Sequence, residues 1–271
     1  MLRLFKILDL SHSNRLTNTP DFSELPNLER LFFKDCINLI EVHGSIGELG
    51  RLVLLNLETC KNLKKLPHNI GHLKSLEKLF LSGCSKLIEL PTELGKMESL
   101  KVFEADETAI HQSLSIIGEE KSWGSVLRSW MLTPRKSPTS IRFSLASLSC
   151  SLVSLSLEDC NLSDDAIPKD LGGLSLLQHL DLNKNPICNL PDSIRGLTAL
   201  QKLELAHCTK LHSLPELPMS LNNLNIHKCS SLDMVTNLPN LLRSLVLAIT
   251  SCDRLVEIQG LFNLVPIKNI N

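Results

Sequence analysis

The side chains best suited to chemistry are nine cysteines and nine histidines. His207 stands beside Cys208, and His227 lies two residues before Cys229, so on paper each pair offers a thiol and a base. A reactive thiol needs exposure and an electropositive setting. His68 and His72 are four residues apart, a spacing two metal ligands can share, but they straddle a turn containing Gly71, which spoils a common helical face. The chain carries no GxxxxGK[ST] phosphate loop, no HExxH and no CxxC. No cofactor, metal or catalytic residue is expected, and the chain is read as not an enzyme.

The cysteines instead keep step with leucines. Leu52, Leu55, Leu57, Cys60, Leu63, Leu66 and Pro67 are repeated as Leu76, Leu79, Leu81, Cys84, Leu87, Leu90 and Pro91, a 24-residue shift. Copies of LxxLxLxxCxxL begin at Phe5, Leu28, Leu52, Leu76, Leu100, Leu152, Leu177, Leu200 and Leu221. A tenth near Ser244 reads as irregular, with a bulge before Cys252. A repeat of this length defines a leucine-rich repeat solenoid. The expected fold is an α/β solenoid: a horseshoe with one parallel concave β-sheet and mostly irregular or 3-10 convex segments. The convex segments end in patterns such as Leu66-Pro67-His68-Asn69-Ile70, where proline fixes φ and removes a donor.

Cys36, Cys60, Cys84, Cys160, Cys208, Cys229 and Cys252 share one repeat position, which Ser13, Thr108 and Asn185 fill in other copies. Buried cysteines at such a position behave as small hydrophobes, so His207–Cys208 and His227–Cys229 are expected to be structural. Ser, Thr and Asn suit a turn whose backbone groups need partners. Residues 1–110 hold about five repeats and 150–271 about five more. Between them, 111–149 is a serine-rich basic insertion containing Trp123, Trp130 and Arg135-Lys136. A loop of that length usually serves function or is disordered, and tryptophan and arginine are frequent contact residues. The insertion could equally fold over the array's acids.

Strand side chains alternate, so the x positions of each repeat should face the concavity. Phe32, Leu54 and Phe80 place apolar groups toward one end. Glu104, Asp106, Glu107, Glu158, Asp159 and Asp181 make an acidic middle. With Trp123 and Trp130 these are the candidate partner-binding residues, and the acids would dock a basic surface. A formal net charge of -1 gives no general attraction to nucleic acid or membrane. No apolar run is long enough to span a bilayer and no signal peptide opens the chain, so a cytoplasmic, possibly nuclear, setting is expected.

The strings Leu8-Asp9-Leu10-Ser11-His12-Ser13, Glu41-Val42-His43-Gly44-Ser45-Ile46-Gly47, Leu81-Ser82-Gly83-Cys84-Ser85-Lys86-Leu87 and Leu214-Pro215-Glu216-Leu217-Pro218 carry a resemblance. The chain resembles the repeat region of plant intracellular disease-resistance proteins of the TIR–nucleotide-binding–leucine-rich-repeat class. The resemblance implies recognition of a pathogen effector or guarded host protein, and restraint of the nucleotide-binding switch. It also implies NAD hydrolysis by a TIR module and ADP or ATP held by a nucleotide-binding domain, neither of which these residues contain. The chain then reads as a fragment or truncated product of such a receptor. A free-standing cytosolic repeat scaffold without a switch is the alternative.

Overall fold

A computed structural model describes residues 4–110, 148, 150–167, 169–235, 238 and 246–258. Its strands, in chain order, are β1 (Ile7–Asp9), β2 (Arg30–Phe32), β3 (Leu54–Asn56), β4 (Lys78–Phe80), β5 (Val102–Glu104), β6 (Ser154–Ser156) and β7 (His179–Asp181). They continue as β8 (Lys202–Glu204), β9 (Ser213–Leu214), β10 (Asn223–Asn225), β11 (Met234–Val235), β12 (Val246–Ala248) and β13 (Glu257–Ile258). Ten of them form one parallel sheet in the order β1-β2-β3-β4-β5-β6-β7-β8-β10-β12. Each three-residue strand turns its middle side chain into the core, as with Leu31, Leu55, Leu79, Phe103 and Leu155. The outer two side chains remain on the concave face, as period-two alternation requires.

The register runs without slippage across the insertion. Val102 pairs with Ser154 and Glu104 with Ser156, so β5 and β6 are direct neighbours although residues 111–147 lie between them in sequence. The tenth repeat corrects the sequence reading. Val246 pairs with Asn223 and Ala248 with Asn225, with no bulge. Leu247, Ile249 and Cys252 occupy the second, third and cysteine positions; Leu245 is the decoy that had suggested an irregular gap.

Two features hold the turn after each strand. First, the residue before the ladder position takes a left-handed conformation in all ten repeats: His12, Asp35, Thr59, Gly83, Glu107, Asp159, Lys184, His207, Lys228 and Ser251. For a non-glycine residue this costs about 1–2 kcal/mol. It aims the N–H at the next repeat, as in Asp35 N to Glu58 O at 2.9 Å and Lys184 N to Ala206 O at 2.8 Å. Second, the ladder side chain reaches back. Cys60 Sγ donates to Phe33 O at 3.2 Å, Cys84 Sγ to Leu57 O at 3.1 Å and Cys229 Sγ to Leu205 O at 3.1 Å. Asn185 performs the same task more fully: Nδ2 donates to Leu157 O at 2.8 Å, while Oδ1 accepts from Cys160 N and Leu162 N.

Convex segments are 3-10 turns where the LPxxI or LPxxL pattern occurs: His68–His72, Thr92–Lys96 and Asp192–Gly196, each with a proline at the cap. Repeats pack tightly here. A Cβ on Gly71 would lie 2.5 Å from Glu93 Cβ, so only glycine lets these turns stack. One sheet was expected, but β9, β11 and β13 form a second, narrow parallel ladder of three strands. Isolated parallel bridges join Asn18 to Glu41 and Glu41 to Lys65 at the other end. The far edge of the array is therefore more regular than the sequence suggested. Among the described residues, no helix is long and apolar enough to cross a membrane.

Candidate interaction surface

The thiols that might have done chemistry lie inside this ladder. Cys60, Cys84, Cys208 and Cys229 are fully buried. Burial pushes the thiols of Cys60, Cys208 and Cys229 up to about 12, and that of Cys160 up to about 11. Neutral, enclosed thiols are neither nucleophiles nor metal ligands. The neighbouring imidazoles do something else: His207 and His227 pack edge to face, centroids 5.6 Å apart.

What the solenoid offers outward is its concave sheet, a surface built by the inward turn of every middle strand residue. Strand pairing places its side chains in columns. One column runs Arg30, Leu54, Lys78, Val102, Ser154, His179, Lys202 and the next Phe32, Asn56, Phe80, Glu104, Ser156, Asp181, Glu204. Phe32 and Phe80 thus share a column but are parted by Asn56. Leu54 lies in the other column between Arg30 and Lys78. All three apolar groups are half-buried, interleaved with Asn56, Arg30 and Lys78 rather than joined in one strip.

The acids gather more closely. Asp181 is raised to about 6, first by burial, then by Glu158, Glu204 and Asp106. Burial, then Asp106 and Glu58, raise Glu104 above the ordinary carboxylate range. Glu204 is pushed up by burial, but Lys202 and Asn225 outweigh that and hold it below its usual value. Lys202 Nζ sits 2.5 Å from Glu204, and Lys184 Nζ 2.7 Å from Glu158. Asp106 is occupied within the fold: its carboxylate accepts from Glu158 N at 2.8 Å, Ser156 Oγ at 2.6 Å and Ser82 Oγ at 3.1 Å. Glu107 and Asp159 are exposed on the left-handed turns beside the sheet.

The structure thus brings Glu104, Asp106, Glu158 and Asp181 together and sets Glu107 and Asp159 at their margin. Trp123 and Trp130 lie outside the described residues, as does the suggested folding of the insertion over these acids. Glu58 and Glu204 extend the acidic patch, while Lys184 and Lys202 offset part of it. Their strand positions were readable from the repeat, but their membership in the patch depended on which strands are neighbours. His179 also faces this region. Burial lowers its pKa, with Lys202 adding to the effect, and its Nε2 is enclosed without a hydrogen-bond partner.

Stacked strands, left-handed turns and a side-chain ladder make this chain a leucine-rich repeat solenoid. A family model described as Leucine Rich Repeat matches residues 176–197. The leucine-rich repeat domain of the type III effector XopL shares the fold, with a TM-score of 0.53, 20% identity and coverage of 93% of this chain and 71% of that one. Among curated proteins, similar ones include plant disease-resistance proteins. TMV resistance protein N of Nicotiana glutinosa is 49% identical over 76 residues, covering 28% of this chain and 7% of that protein. Disease resistance-like protein DSC1 of Arabidopsis thaliana is 42% identical over 99 residues, covering 36% and 8%. Disease resistance protein RUN1 of Vitis rotundifolia is 46% identical over 48 residues, covering 18% and 4%. The resemblance drawn from the cysteine-bearing repeats is the one these relatives display. The matched stretches span less than a tenth of each relative's length.

Proposed function

We propose that this chain is the protein-recognition module of a plant intracellular immune receptor acting in defence. In this reading its concave face engages a pathogen effector or guarded host protein, and its contacts with a nucleotide-binding domain restrain that domain's switch. ADP or ATP would be held by that domain and not by these repeats, and the setting would be the cytoplasm or nucleus. The supporting observation is the acidic patch on adjacent strands of a rigid sheet. Besides burial, Asp106 and Glu58 raise the carboxyl of Glu104, and Glu158, Glu204 and Asp106 raise that of Asp181, so the ionised patch is under mutual repulsion. A partner's lysines or arginines would relieve that repulsion, which favours fast and selective association. Recognition becomes activation only if the partner binds the active arrangement better than the resting one.

The test compares the full chain with a Glu104→Lys plus Glu158→Lys variant in leaf tissue, by proximity labelling during pathogen challenge. Binding of each labelled protein to purified chain is then measured across a salt series. The expected outcome is a challenge-dependent partner whose affinity falls with salt and is lost in the variant. Equal labelling and an equal salt response in both proteins would remove the concave acids from recognition.

A further inference from the structure

On the side of the first four repeats, away from the concave sheet, lies an open groove of about 450 Å³. Its walls follow from the repeat. Two residues past the ladder position stand Arg15, Asn38, Asn62 and Lys86; four past it stand Thr17, Ile40 and Lys64. Backbone bonds from Ile40 N to Thr17 O at 2.8 Å and Lys64 N to Ile40 O at 3.1 Å hold the second wall. The first wall is a relay of donors. Lys86 Nζ donates to Asn62 Oδ1 at 2.7 Å, Asn62 Nδ2 to Asn38 Oδ1 at 3.2 Å, and Asn38 Nδ2 to the Asn14 carbonyl at 2.7 Å.

The relay fixes the Lys86 ammonium at one end of the groove and leaves it further N–H donors, since an ammonium carries three. Arg15 stands on the first repeat, toward the other end, and Lys64 on the opposite wall; both are exposed. Among the described residues neither is in an ion pair, whereas Lys6, Lys34, Lys101, Lys184 and Lys202 each have a carboxylate partner. No carboxylate lines the groove. Lys64 and Lys86 belong to adjacent repeats and Arg15 lies further along the same groove, so the groove holds positive charge with no counter-charge of its own. A guanidinium fork with two ammonium groups suits an anion whose charge is spread over several oxygens. The volume lies within the range of small-molecule sites.

We propose that this lateral groove is a binding site for a small, multiply charged phosphate compound, independent of the concave recognition face. Arg15 would take one phosphoryl group through its fork, with Lys64 and Lys86 neutralising the remaining charge and the asparagine relay holding Lys86 in place. Such a ligand would tie neighbouring repeats together at that end of the array.

The experiment is a calorimetric titration of the full chain with inorganic pyrophosphate at about 0.15 M ionic strength, where exposed charges beyond about 8 Å are screened. An Arg15→Gln plus Lys86→Gln variant is titrated alongside. The control is Lys210→Gln, because Lys210 occupies the same repeat position on another part of the array. Circular dichroism melts confirm that all three proteins are folded. Saturable binding by the wild type and control, weakened about tenfold or more in the double variant, is the expected result. Because tenfold corresponds to about 1.4 kcal/mol, it is a modest demand on two charge-assisted contacts. Absence of saturation, or equal affinity in all three proteins, overturns the site. A folded Lys64→Glu variant, which adds a carboxylate to the groove, must also lose binding; retention there overturns it as well.

Discussion

At the scale of single residues, the ladder cysteine is both a packing group and a pH-sensitive one. Its thiol is held neutral by burial while donating to a carbonyl of the preceding repeat, so the folded state keeps a proton that an unfolded chain releases near pH 9. Stability from this source is fully present below pH 9. It is lost as pH rises toward the folded values of about 11 at Cys160 and about 12 at Cys60, Cys208 and Cys229. Urea midpoints should therefore be level from about pH 7 to 8.5 and fall steadily above pH 9. A Cys60→Ala plus Cys208→Ala variant should start lower and fall less steeply. Parallel curves would show that the thiols are not what titrates. The ladder's structural role was readable from its spacing, and so was the substitution of Thr108 and Asn185 into it. What spacing could not show is the left-handed residue before each ladder position. Among the ten only Gly83 is a glycine, because the turn is imposed by the N–H donated to the next repeat and not by side-chain preference.

At the scale of elements, Asp106 separates structure from recognition within the acidic patch. It ties β4's turn, through Ser82, to Ser156 and Glu158 in the repeat that follows the insertion. Removing its carboxylate leaves a backbone N–H and two hydroxyls without their acceptor. Asp106→Ala should therefore cost about 1–3 kcal/mol of stability. Glu104, two residues before it at the end of β5, has a carboxyl raised by burial and by Asp106 and Glu58, so its loss relieves repulsion. Glu104→Ala should change stability by less than about 0.5 kcal/mol. Chemical denaturation of both variants checks this, and equal losses would deny Asp106 its role as a strut. The sequence placed both acids on the concave side correctly, because strand alternation depends only on the leucine pattern. It could not separate them, since the partners of Asp106 come from repeats 24 residues before and about 50 residues after it. The narrow ladder of β9, β11 and β13 was missed for a related reason. Its strands are only two residues long, too short to show a period in sequence, and the ladder arises from stacking of units whose strands are already in register.

At the scale of the whole molecule, a solenoid's stability is the sum of each repeat and its contact with its neighbours. Among the described residues, the array continues across the insertion through the β5–β6 contact. That contact is intact: the strands pair in register, and Cys160 Sγ donates to Ala105 O at 3.0 Å across the junction just as ladder thiols do elsewhere. The anchors Leu100 and Leu152 are 52 residues apart, against 24 for Leu52 to Leu76 and for Leu76 to Leu100, an excess of 28. Deleting residues 112–139 removes 28 residues and restores the period. Loop closure changes slowly with length, about 0.6 kcal/mol per doubling, so the deleted chain should unfold in one transition with its midpoint within a few degrees of the original. A collapsed or split transition would mean that the excised residues complete the core between the fifth and sixth repeats. If the deleted chain folds but loses the challenge-dependent partner while Glu104 and Glu158 are untouched, the recognition assigned to the acids depends on the insertion as well. If it keeps that partner, the concave sheet suffices, because the strands carrying Glu104, Glu158 and Asp181 are positioned by one another.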